Sequence, residues 1–239
     1  MNLIVIPARG GSKGLKNKNT RLLMGRSLIG RAVLCAKQVK QPSRIIVSTD
    51  SAEIQKEAEM YGADVPFIRS DSLSGDFATT EETLKDALEK AELIFEEDYE
   101  FVIYFSPSEG FLDPFCVNRG LELLRKDSTL DSYFPGRESF KNYWEKKLVR
   151  ENESFERLLE SMKVYSSRQQ KKPIFREDTG RGLVTRPEIW RQGNRIGDIV
   201  KIEATSDSRA DLDIHTELDL MIAELVLKDL GDHEFLAQQ

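Results

Sequence analysis

The sequence has little of several features that mark specialised classes of protein. Two of its 239 residues are cysteines, Cys35 and Cys116, too few for a disulfide framework or a zinc site of paired CxxC motifs. No apolar run approaches the roughly 18 residues that a membrane-spanning helix requires. The opening residues 1–7 are followed too soon by a basic residue to be a signal peptide. We therefore expect a cytoplasmic protein without thiol chemistry or a membrane partner.

Acidic residues are absent before Asp50, whereas ten lysines and arginines lie between Arg9 and Arg44. The rest of the chain is strongly acidic, and the net charge of the whole is −6. This asymmetry predicts an anionic ligand near the N-terminal segment. Nucleic acid is the weaker alternative, because the acidic remainder would repel extended phosphate and no helix-turn-helix, zinc-finger or RNP pattern is present. We expect no nucleic-acid partner.

Short β-branched runs alternate with helical periodicity in the first half of the chain. The predicted strands and helices, in chain order, are 3–6, 28–40 (helix), 44–47, 52–61 (helix), 65–68, 81–97 (helix) and 101–105. Their order predicts an α/β fold, an open and mostly parallel sheet with helices on both faces. Ligands of such sheets bind beyond the carboxyl ends of the strands.

The second half of the chain departs from this rhythm. Segment 137–172 is highly charged with scattered aromatic residues, and we interpret it as a small inserted dimerisation arm within a single domain spanning 1–239. Strands are predicted again at 183–185 and 199–202, followed by an amphipathic helix at 216–230.

A glycine-rich basic segment follows the first predicted strand directly and continues to residue 19, beginning Pro7-Ala8-Arg9-Gly10-Gly11-Ser12-Lys13-Gly14. Its glycines let backbone N–H groups approach a phosphate chain, and its basic side chains supply the charge that a polyphosphate needs. The segment is neither a Walker A motif nor the Gly-x-Gly-x-x-Gly of dinucleotide-binding folds. A solvated basic turn is the alternative.

The segment from Ile6 to Asn19 resembles the opening of the acylneuraminate cytidylyltransferases, the CMP-sialic acid synthetases and their relatives. The similarity continues at 46–51, 62–67, Arg69, Asp76, 79–80, 168–170 and 213–220. It implies a Rossmann-like nucleotidyltransferase fold, a homodimer, and Mg²⁺-assisted transfer of CMP from CTP to an acidic, sialic-acid-like keto-sugar with release of pyrophosphate. Use of another nucleotide or sugar, or an inactive nucleotide-binding relative, are the alternatives.

The resemblance implies roles for individual residues. The implied catalytic residues are Arg9, Lys18 and Asp213, and the implied nucleotide-binding residues are Ala8, Arg9, Gly10, Gly11, Ser12, Lys13, Lys18, Asn19, Arg69 and Asp76. The implied sugar-binding residues are Lys141, Arg168 and Gln169. Plainer interpretations stay open: Asp50 and Asp76 could belong to helix starts, and Lys141 and Arg168 could be solvated surface residues.

The family's metal-binding pattern is Asp-x-Asp, and two alignments of it are possible. Anchoring on 216–220 places the two positions at Asp213 and His215, whereas Asp211 and Asp213 form an Asp-x-Asp two residues earlier. The implied Mg²⁺ ligands are therefore drawn from Asp211, Asp213 and His215, of which histidine is the poorest ligand for Mg²⁺. An ordinary N-terminal helix residue is the alternative for His215.

One segment departs from the family pattern. Where the family has Gln-Pro-Thr-Ser-Pro-Leu-Arg after the fourth strand, this chain has Phe105-Ser106-Pro107-Ser108-Glu109-Gly110-Phe111. The glutamine and the arginine are both absent, and Glu109 adds an acid. This departure leaves the identity of the sugar, and whether the chain is active, open.

Overall fold

The structure is a computed structural model that describes residues 1–12, 14–149, 152–163, 167, 169–205 and 207–230. Its strands are β1 (Asn2–Pro7), β2 (Leu22–Leu23), β3 (Arg26–Ser27), β4 (Ser43–Ser48), β5 (Val102–Tyr104), β6 (Ser132–Ser139), β7 (Trp144–Val149), β8 (Asn152–Arg157), β9 (Ile174–Glu177), β10 (Leu183–Thr185) and β11 (Val200–Thr205). Its helices are α1 (Leu28–Ala36), α2 (Ala52–Met60), α3 (Thr80–Phe95), α4 (Pro114–Lys126), α5 (Pro187–Arg191) and α6 (Glu217–Leu230). Within these ranges, none of the helices has the length and apolar character needed to cross a membrane.

The central sheet has the strand order β4-β1-β5-β10-β6-β11, and β9 pairs with β6. β1 runs parallel to β4 and β5, and β11 runs parallel to β6. β10 lies antiparallel between β5 and β6, and β9 is antiparallel to β6. The predicted α/β class is confirmed, with a mixed sheet in which β10 reverses direction.

Both faces of β1 are buried, as its continuous apolar run predicts. Ile4 and Ile6 pack in the cluster that contains Val33 of α1, whereas Leu3 and Val5 pack in the cluster that contains Leu88 of α3. Each buried aliphatic side chain of this kind contributes about 1.5–3 kcal/mol to stability. This core fixes the end of β1, where the glycine-rich segment begins.

A third apolar cluster anchors the glycine-rich segment to the C-terminal helix. Leu15 is buried in one cluster with Leu23 and Leu28, which precede and begin α1, and with Ile214 and Leu227 from the C-terminal part of the chain. The same cluster buries Phe111 of the segment that departs from the family pattern. Residues distant in sequence are thereby brought together beside the ends of the strands.

Two expectations from the sequence need correction. The strand predicted at 65–68 is reduced to isolated bridges at its ends, Ile46 with Asp64 and Thr49 with Ile68. Pro66 between them has no N–H to donate to a ladder, which explains the interruption. The helix predicted at 28–40 ends at Ala36.

The predicted arm, 137–172, is continuous with the central sheet at its start. Its first residues, 137–139, still belong to β6 and pair with β9, while β7 and β8 form a separate hairpin beyond them. Trp144 and Phe155 of this hairpin are half or more exposed. The arm therefore projects from an extension of the central sheet.

Candidate active site

A cavity of about 450 Å³ lies beyond the carboxyl ends of β1 and β5, where the fold predicts ligand binding. Seven of the residues singled out from the sequence line it: Arg9, Ser12, Lys18, Asn19, Arg69, Asp76 and His215. Ala8, in contrast, is buried, and its N–H continues the sheet by donating to the Ser48 carbonyl at 2.9 Å. The basic segment after β1 is thus the wall of a cavity.

The glycine-rich segment is tied to its neighbours at both ends. Gly10 N–H donates to Asp50 Oδ1 at 2.8 Å, and the buried Asn19 donates from Nδ2 to the Arg9 carbonyl at 2.9 Å. A Cβ atom added at Gly14 would lie 2.5 Å from the His215 carbonyl oxygen, so a side chain does not fit there. These contacts fix the backbone of the segment against the loop that precedes α6.

Lys18 is half-buried in this cavity. Burial lowers the pKa of its ammonium group and the nearby Arg9 lowers it further, whereas the carboxylates of Asp213 and Glu109 raise it. Two cations, Arg9 and Lys18, therefore share a partly desolvated space. An anionic ligand placed between them would interact strongly, because water screens the charges less in a partly desolvated space.

Asp50 and Arg69 form a second polar unit at the cavity, which Arg69 lines. Arg69 is 5% exposed, its Nη2 lies 3.8 Å from Asp50 Oδ1, and its Nε donates to Ser74 Oγ at 3.3 Å. Burial lowers the pKa of Arg69. Within the described residues, its Nη2 is a buried donor with no hydrogen-bond acceptor. Such a group is costly without a partner, which favours a ligand acceptor in the cavity.

Neither Asp50 nor Asp76 is the N-cap of the helix that follows it, although the start of α3 lies at Thr79 and Thr80 as the alternative interpretation of that segment expects. Ser51, rather than Asp50, caps α2 by accepting from Ile54 N–H at 3.4 Å. Thr79, rather than Asp76, caps α3 in a reciprocal capping box with Glu82. In both loops the N-cap is a hydroxyl side chain that follows the aspartate, Ser51 after Asp50 and Thr79 after Asp76.

Asp76 contacts the glycine-rich segment. Arg9 Nη1 donates to the Gly75 carbonyl at 3.1 Å and lies 3.5 Å from Asp76 Oδ1. Both side chains are more than a third exposed, so this ion pair contributes little to stability. The pair places the guanidinium of Arg9 and the carboxylate of Asp76 side by side in one wall of the cavity.

Asp213 and His215 lie close together at the other side of the cavity. His215 Nε2 is 2.8 Å from Asp213 Oδ2, and Asp213 pairs with Glu109 in an isolated antiparallel bridge. Burial and the Asp213 carboxylate raise the pKa of Glu109 to about 8. The bridge rests on Gly110 N–H donating to the Leu212 carbonyl at 2.8 Å. Segment 105–111, which differs from the family pattern, therefore contacts the segment that carries the candidate metal ligands Asp213 and His215.

Asp211, a candidate metal ligand in one of the two alignments, lies apart from the first cavity, and its role in metal binding stays a prediction. Asp211 pairs with Arg137 and Arg176 at 3.0 Å each and lines a different cavity, of about 390 Å³. In the described ranges, no group of three or more His, Cys, Asp or Glu residues could hold a metal ion. Two guanidinium groups already neutralise the Asp211 carboxylate, whereas the described partner of the Asp213 carboxylate is His215.

The predicted sugar-binding residues either do not line the first cavity or lie outside the part of the chain that the structure describes. Lys141 lines the 390 Å³ cavity, and Gln169 is exposed. Arg168, like Lys13 of the glycine-rich segment, lies outside the described residues. Their implied roles remain predictions.

Several cavity residues were not singled out from the sequence. Thr83 and Tyr104 line the first cavity, and Arg137 and Arg176 line the second. Tyr104 is the last residue of β5 and could have been found by the rule that ligands bind at strand ends. Thr83 lies one turn inside α3, and the two arginines come from strands separated by the arm, so no local pattern identifies them.

Comparison with known proteins places the chain in a family. The family model for cytidylyltransferases matches residues 3–179. The CMP-N,N'-diacetyllegionaminic acid synthase of Legionella pneumophila is 39% identical over 121 residues, 51% of this chain and 52% of that protein. The pseudaminic acid cytidylyltransferase of Campylobacter jejuni is 39% identical over 88 residues, 37% of this chain and 38% of that protein. The matched segments thus span about half or less of these relatives.

Solved structures share the fold at low sequence identity. The CMP:2-keto-3-deoxy-manno-octonic acid synthetase complexed with CTP has a TM-score of 0.70 over 97% of this chain and 100% of its own, at 16% identity. The 4-diphosphocytidyl-2C-methyl-D-erythritol synthase from Anaerococcus prevotii has a TM-score of 0.61 over 95% and 96%, at 12% identity. Since the family model matches well over half of its residues, the chain belongs to the cytidylyltransferase family.

Proposed function

We propose that this chain transfers CMP from CTP to an acidic keto-sugar of the nonulosonic class, giving a CMP-sugar and pyrophosphate. The observation that carries the proposal is the cavity beyond β1, into which the glycine-rich segment brings Arg9, Ser12 and Lys18. The names of the relatives support the substrate class, since they specify diacetyllegionaminic, pseudaminic and N-acylneuraminic acids.

In the proposed reaction the anomeric hydroxyl oxygen of the sugar attacks the α-phosphorus of CTP. A new oxygen–phosphorus bond forms, the bond to the bridging oxygen of pyrophosphate breaks, and the hydroxyl proton passes to water. Such a transfer depends on positioning and on charge stabilisation more than on covalent catalysis by the protein. Arg9 and Lys18 stabilise the negative charge that grows on the departing pyrophosphate.

The Asp50–Arg69 unit serves the nucleotide in this proposal. Asp50 holds the backbone of the glycine-rich segment through Gly10 N–H and also lies beside the guanidinium of Arg69. The buried Nη2 of Arg69 supplies a donor that a polar group of the nucleotide can satisfy. One carboxylate thus orients two elements that meet the same ligand.

We propose that Mg²⁺ is held beside the cavity by Asp213. Mg²⁺ takes one or two carboxylates together with phosphate oxygens and water, and Asp213 is a half-exposed carboxylate beside Lys18 and Glu109. Asp213 is therefore the residue that would hold it, with His215 at its side. When bound, the ion supplies neutralisation of phosphate charge.

We further propose that the chain works in the cytoplasm as a homodimer joined through the arm 137–172. Exposed aromatic side chains on the arm support this, because Trp144 and Phe155 have no packing role in the central core and aromatic residues are enriched at interfaces. Sedimentation of the chain, compared with a Trp144→Ser and Phe155→Ser double variant, tests the dimer.

The activity is tested by measuring pyrophosphate release with each of the four ribonucleoside triphosphates and Mg²⁺. Each nucleotide is combined with an N-acylneuraminate, N,N'-diacetyllegionaminic acid, pseudaminic acid or an ordinary sugar phosphate. Release with CTP and one of the acids, and with no other combination, is the expected result. Binding of CTP without release from any acid would instead favour an inactive nucleotide-binding relative, which the altered segment 105–111 permits.

A further inference from the structure

The turn formed by residues 178–182 packs against segment 105–111, which differs from the family pattern. Ser106 N–H donates to the Gly180 carbonyl at 2.8 Å. A Cβ atom added at Gly180 would lie 2.6 Å from Glu109 Oε1, so a side chain at this position would displace Glu109. The backbone of the turn therefore lies directly against the segment.

Arg181 of the same turn holds the end of the segment from inside the protein. Arg181 is 1% exposed, and its Nε donates to the Phe111 carbonyl at 3.2 Å. Its own carbonyl accepts from the N–H of Asp113, the N-cap of α4, at 2.8 Å. The side chain and the backbone of this one residue thus fix the place where segment 105–111 ends and α4 begins.

The burial of Arg181 is unfavourable for folding. Among the described residues, its Nη1 and Nη2 are buried donors with no hydrogen-bond acceptor. Two carboxylates form only long ion pairs with them, at 3.7 Å from Nη1 to Asp178 Oδ2 and 4.0 Å from Nη2 to Asp113 Oδ2. Native proteins keep few unsatisfied groups of this kind, so this guanidinium calls for an explanation beyond packing.

Segment 105–111 in turn fixes the backbone on both sides of Asp213. Two backbone hydrogen bonds flank the isolated antiparallel bridge between Glu109 and Asp213. Their N–H donors and carbonyl acceptors are, respectively, Ile214 to Ser108 at 2.7 Å and Gly110 to Leu212 at 2.8 Å. A displacement of the segment would therefore displace Asp213 as well.

The side chain of Asp213 adds little restraint of its own. It is 47% exposed, and its partner His215, whose Nε2 lies 2.8 Å from Asp213 Oδ2, is more exposed still. Pairs between exposed groups contribute little to stability. The position of this carboxylate thus depends on the bridge to segment 105–111, and the position of the segment depends on Arg181.

We propose that Arg181 is a positioning residue for the transfer reaction: it holds segment 105–111 in the place from which the bridge presents Asp213 beside the cavity. The proposal rests on the proposed function for the reaction and for the role of Asp213. Segment 105–111 lacks the arginine of the family pattern, and Arg181 supplies a guanidinium to it from another part of the chain.

Amide hydrogen exchange of an Arg181→Met variant tests this positioning without any measurement of activity. Methionine keeps a long side chain and removes the charge and the donors. We expect the Gly110 and Ile214 amides to exchange about tenfold to a hundredfold faster than in the wild type, because the segment loses a charge-assisted hydrogen bond. The Ala8 amide, which donates to Ser48 in the central sheet, should change much less. Equal acceleration at all three amides, or none, would overturn the proposal.

Arg186→Met is the matched control. The guanidinium of Arg186 also binds backbone carbonyls, those of Leu124, Asp127 and Leu130, and it lines neither cavity. Its loss should lower the Tm without a selective effect on Gly110 and Ile214. Should Arg181→Met fail to fold, Arg181→Lys replaces it. Lysine keeps the charge without the planar fork, and we expect it to accelerate the same two amides by about threefold to tenfold. No selective acceleration in the folded variant would overturn the proposal.

Pyrophosphate release connects the positioning to the reaction. Because small displacements of a reacting group are costly, Arg181→Met should lower kcat by about tenfold to a hundredfold and leave the KM for the sugar acid within about twofold. The Mg²⁺ concentration for half-maximal activity should rise by a few-fold, since the Asp213 carboxylate is displaced. Arg186→Met should change none of these values.

The two measurements separate this proposal from the proposed function. Selectively faster exchange at Gly110 and Ile214 in a chain that releases no pyrophosphate supports the positioning and contradicts only the proposed function. Unchanged kcat in an Arg181→Met variant of an active chain overturns the positioning role.

Discussion

The two cavities differ in how the chain builds them. One continuous segment, 8–19, supplies most of the cationic groups of the first cavity, and its backbone is fixed by Asp50 and Asn19. The second cavity depends on a pair of arginines brought together by strand pairing across the arm. In the first, Arg9 lies beside Asp76 and Arg69 beside Asp50. In the second, Asp211 pairs with both arginines, and Asp178 also pairs with Arg176.

The difference explains why the basic segment of the first cavity can be recognised from local sequence whereas the arginine pair of the second cavity cannot. It also predicts distinct kinetic effects. Changes in the first cavity should act on turnover and on CTP, whereas changes in the second should leave the dependence on Mg²⁺ unaltered. The following substitutions test whether the two cavities are separable in this way.

The largest effect is expected for Asp213→Asn. Loss of its charge removes the carboxylate available for Mg²⁺, and turnover should fall by about a thousandfold, consistent with a several-kcal/mol role of a metal in stabilising phosphoryl charge. Pyrophosphate release is measured across a Mg²⁺ titration. Asp211→Asn is the comparison and should keep its dependence on Mg²⁺. Equal losses in the two aspartate variants would show that the cavities are not separable.

Lys18→Ala should lower kcat by about a hundredfold and raise the KM for CTP only a few-fold, because its charge is needed most as pyrophosphate departs. Lys16→Ala is the matched control, since Lys16 is an exposed neighbour that does not line the cavity. Single-turnover measurements with saturating CTP separate the two parameters. A loss confined to the KM would place Lys18 in binding alone.

Asp50→Ala should raise the KM for CTP by about tenfold, because it removes both the acceptor of Gly10 N–H and the carboxylate that pairs with the buried Arg69. It should also lower the free energy of unfolding by about 1–3 kcal/mol, measured by denaturant titration. Asp50→Asn keeps an acceptor for Gly10 and loses only the charge beside Arg69. Identical behaviour of the alanine and asparagine variants would mean that the contact with Gly10 contributes nothing.

The smallest effect is expected for His215→Asp. A second carboxylate beside Asp213 should reduce the Mg²⁺ concentration for half-maximal activity by a few-fold, since oxygen ligands suit Mg²⁺ better than imidazole. A Mg²⁺ titration of pyrophosphate release measures it. With no change in that concentration, His215 would be an ordinary residue at the start of α6.

The fold class and the first cavity could be predicted because their determinants are local. The buried strand β1 and the glycine-rich segment after it are contiguous, and the position of a ligand follows from sheet topology. The direction of β10 could not be predicted, because Leu183–Thr185 is three buried residues long and its apolar pattern is the same in both orientations. The pairing of Asp211 depends on the register of β6 with β9, which no short window of sequence contains.

The most direct test of the central claim is a ³¹P NMR spectrum of the chain incubated with CTP, Mg²⁺ and the sugar acid that releases pyrophosphate. Transfer of CMP predicts that the three phosphorus signals of CTP are replaced by those of pyrophosphate and of one phosphodiester, in a fixed ratio. Appearance of CMP with pyrophosphate but no phosphodiester, or of CDP with inorganic phosphate, would contradict it.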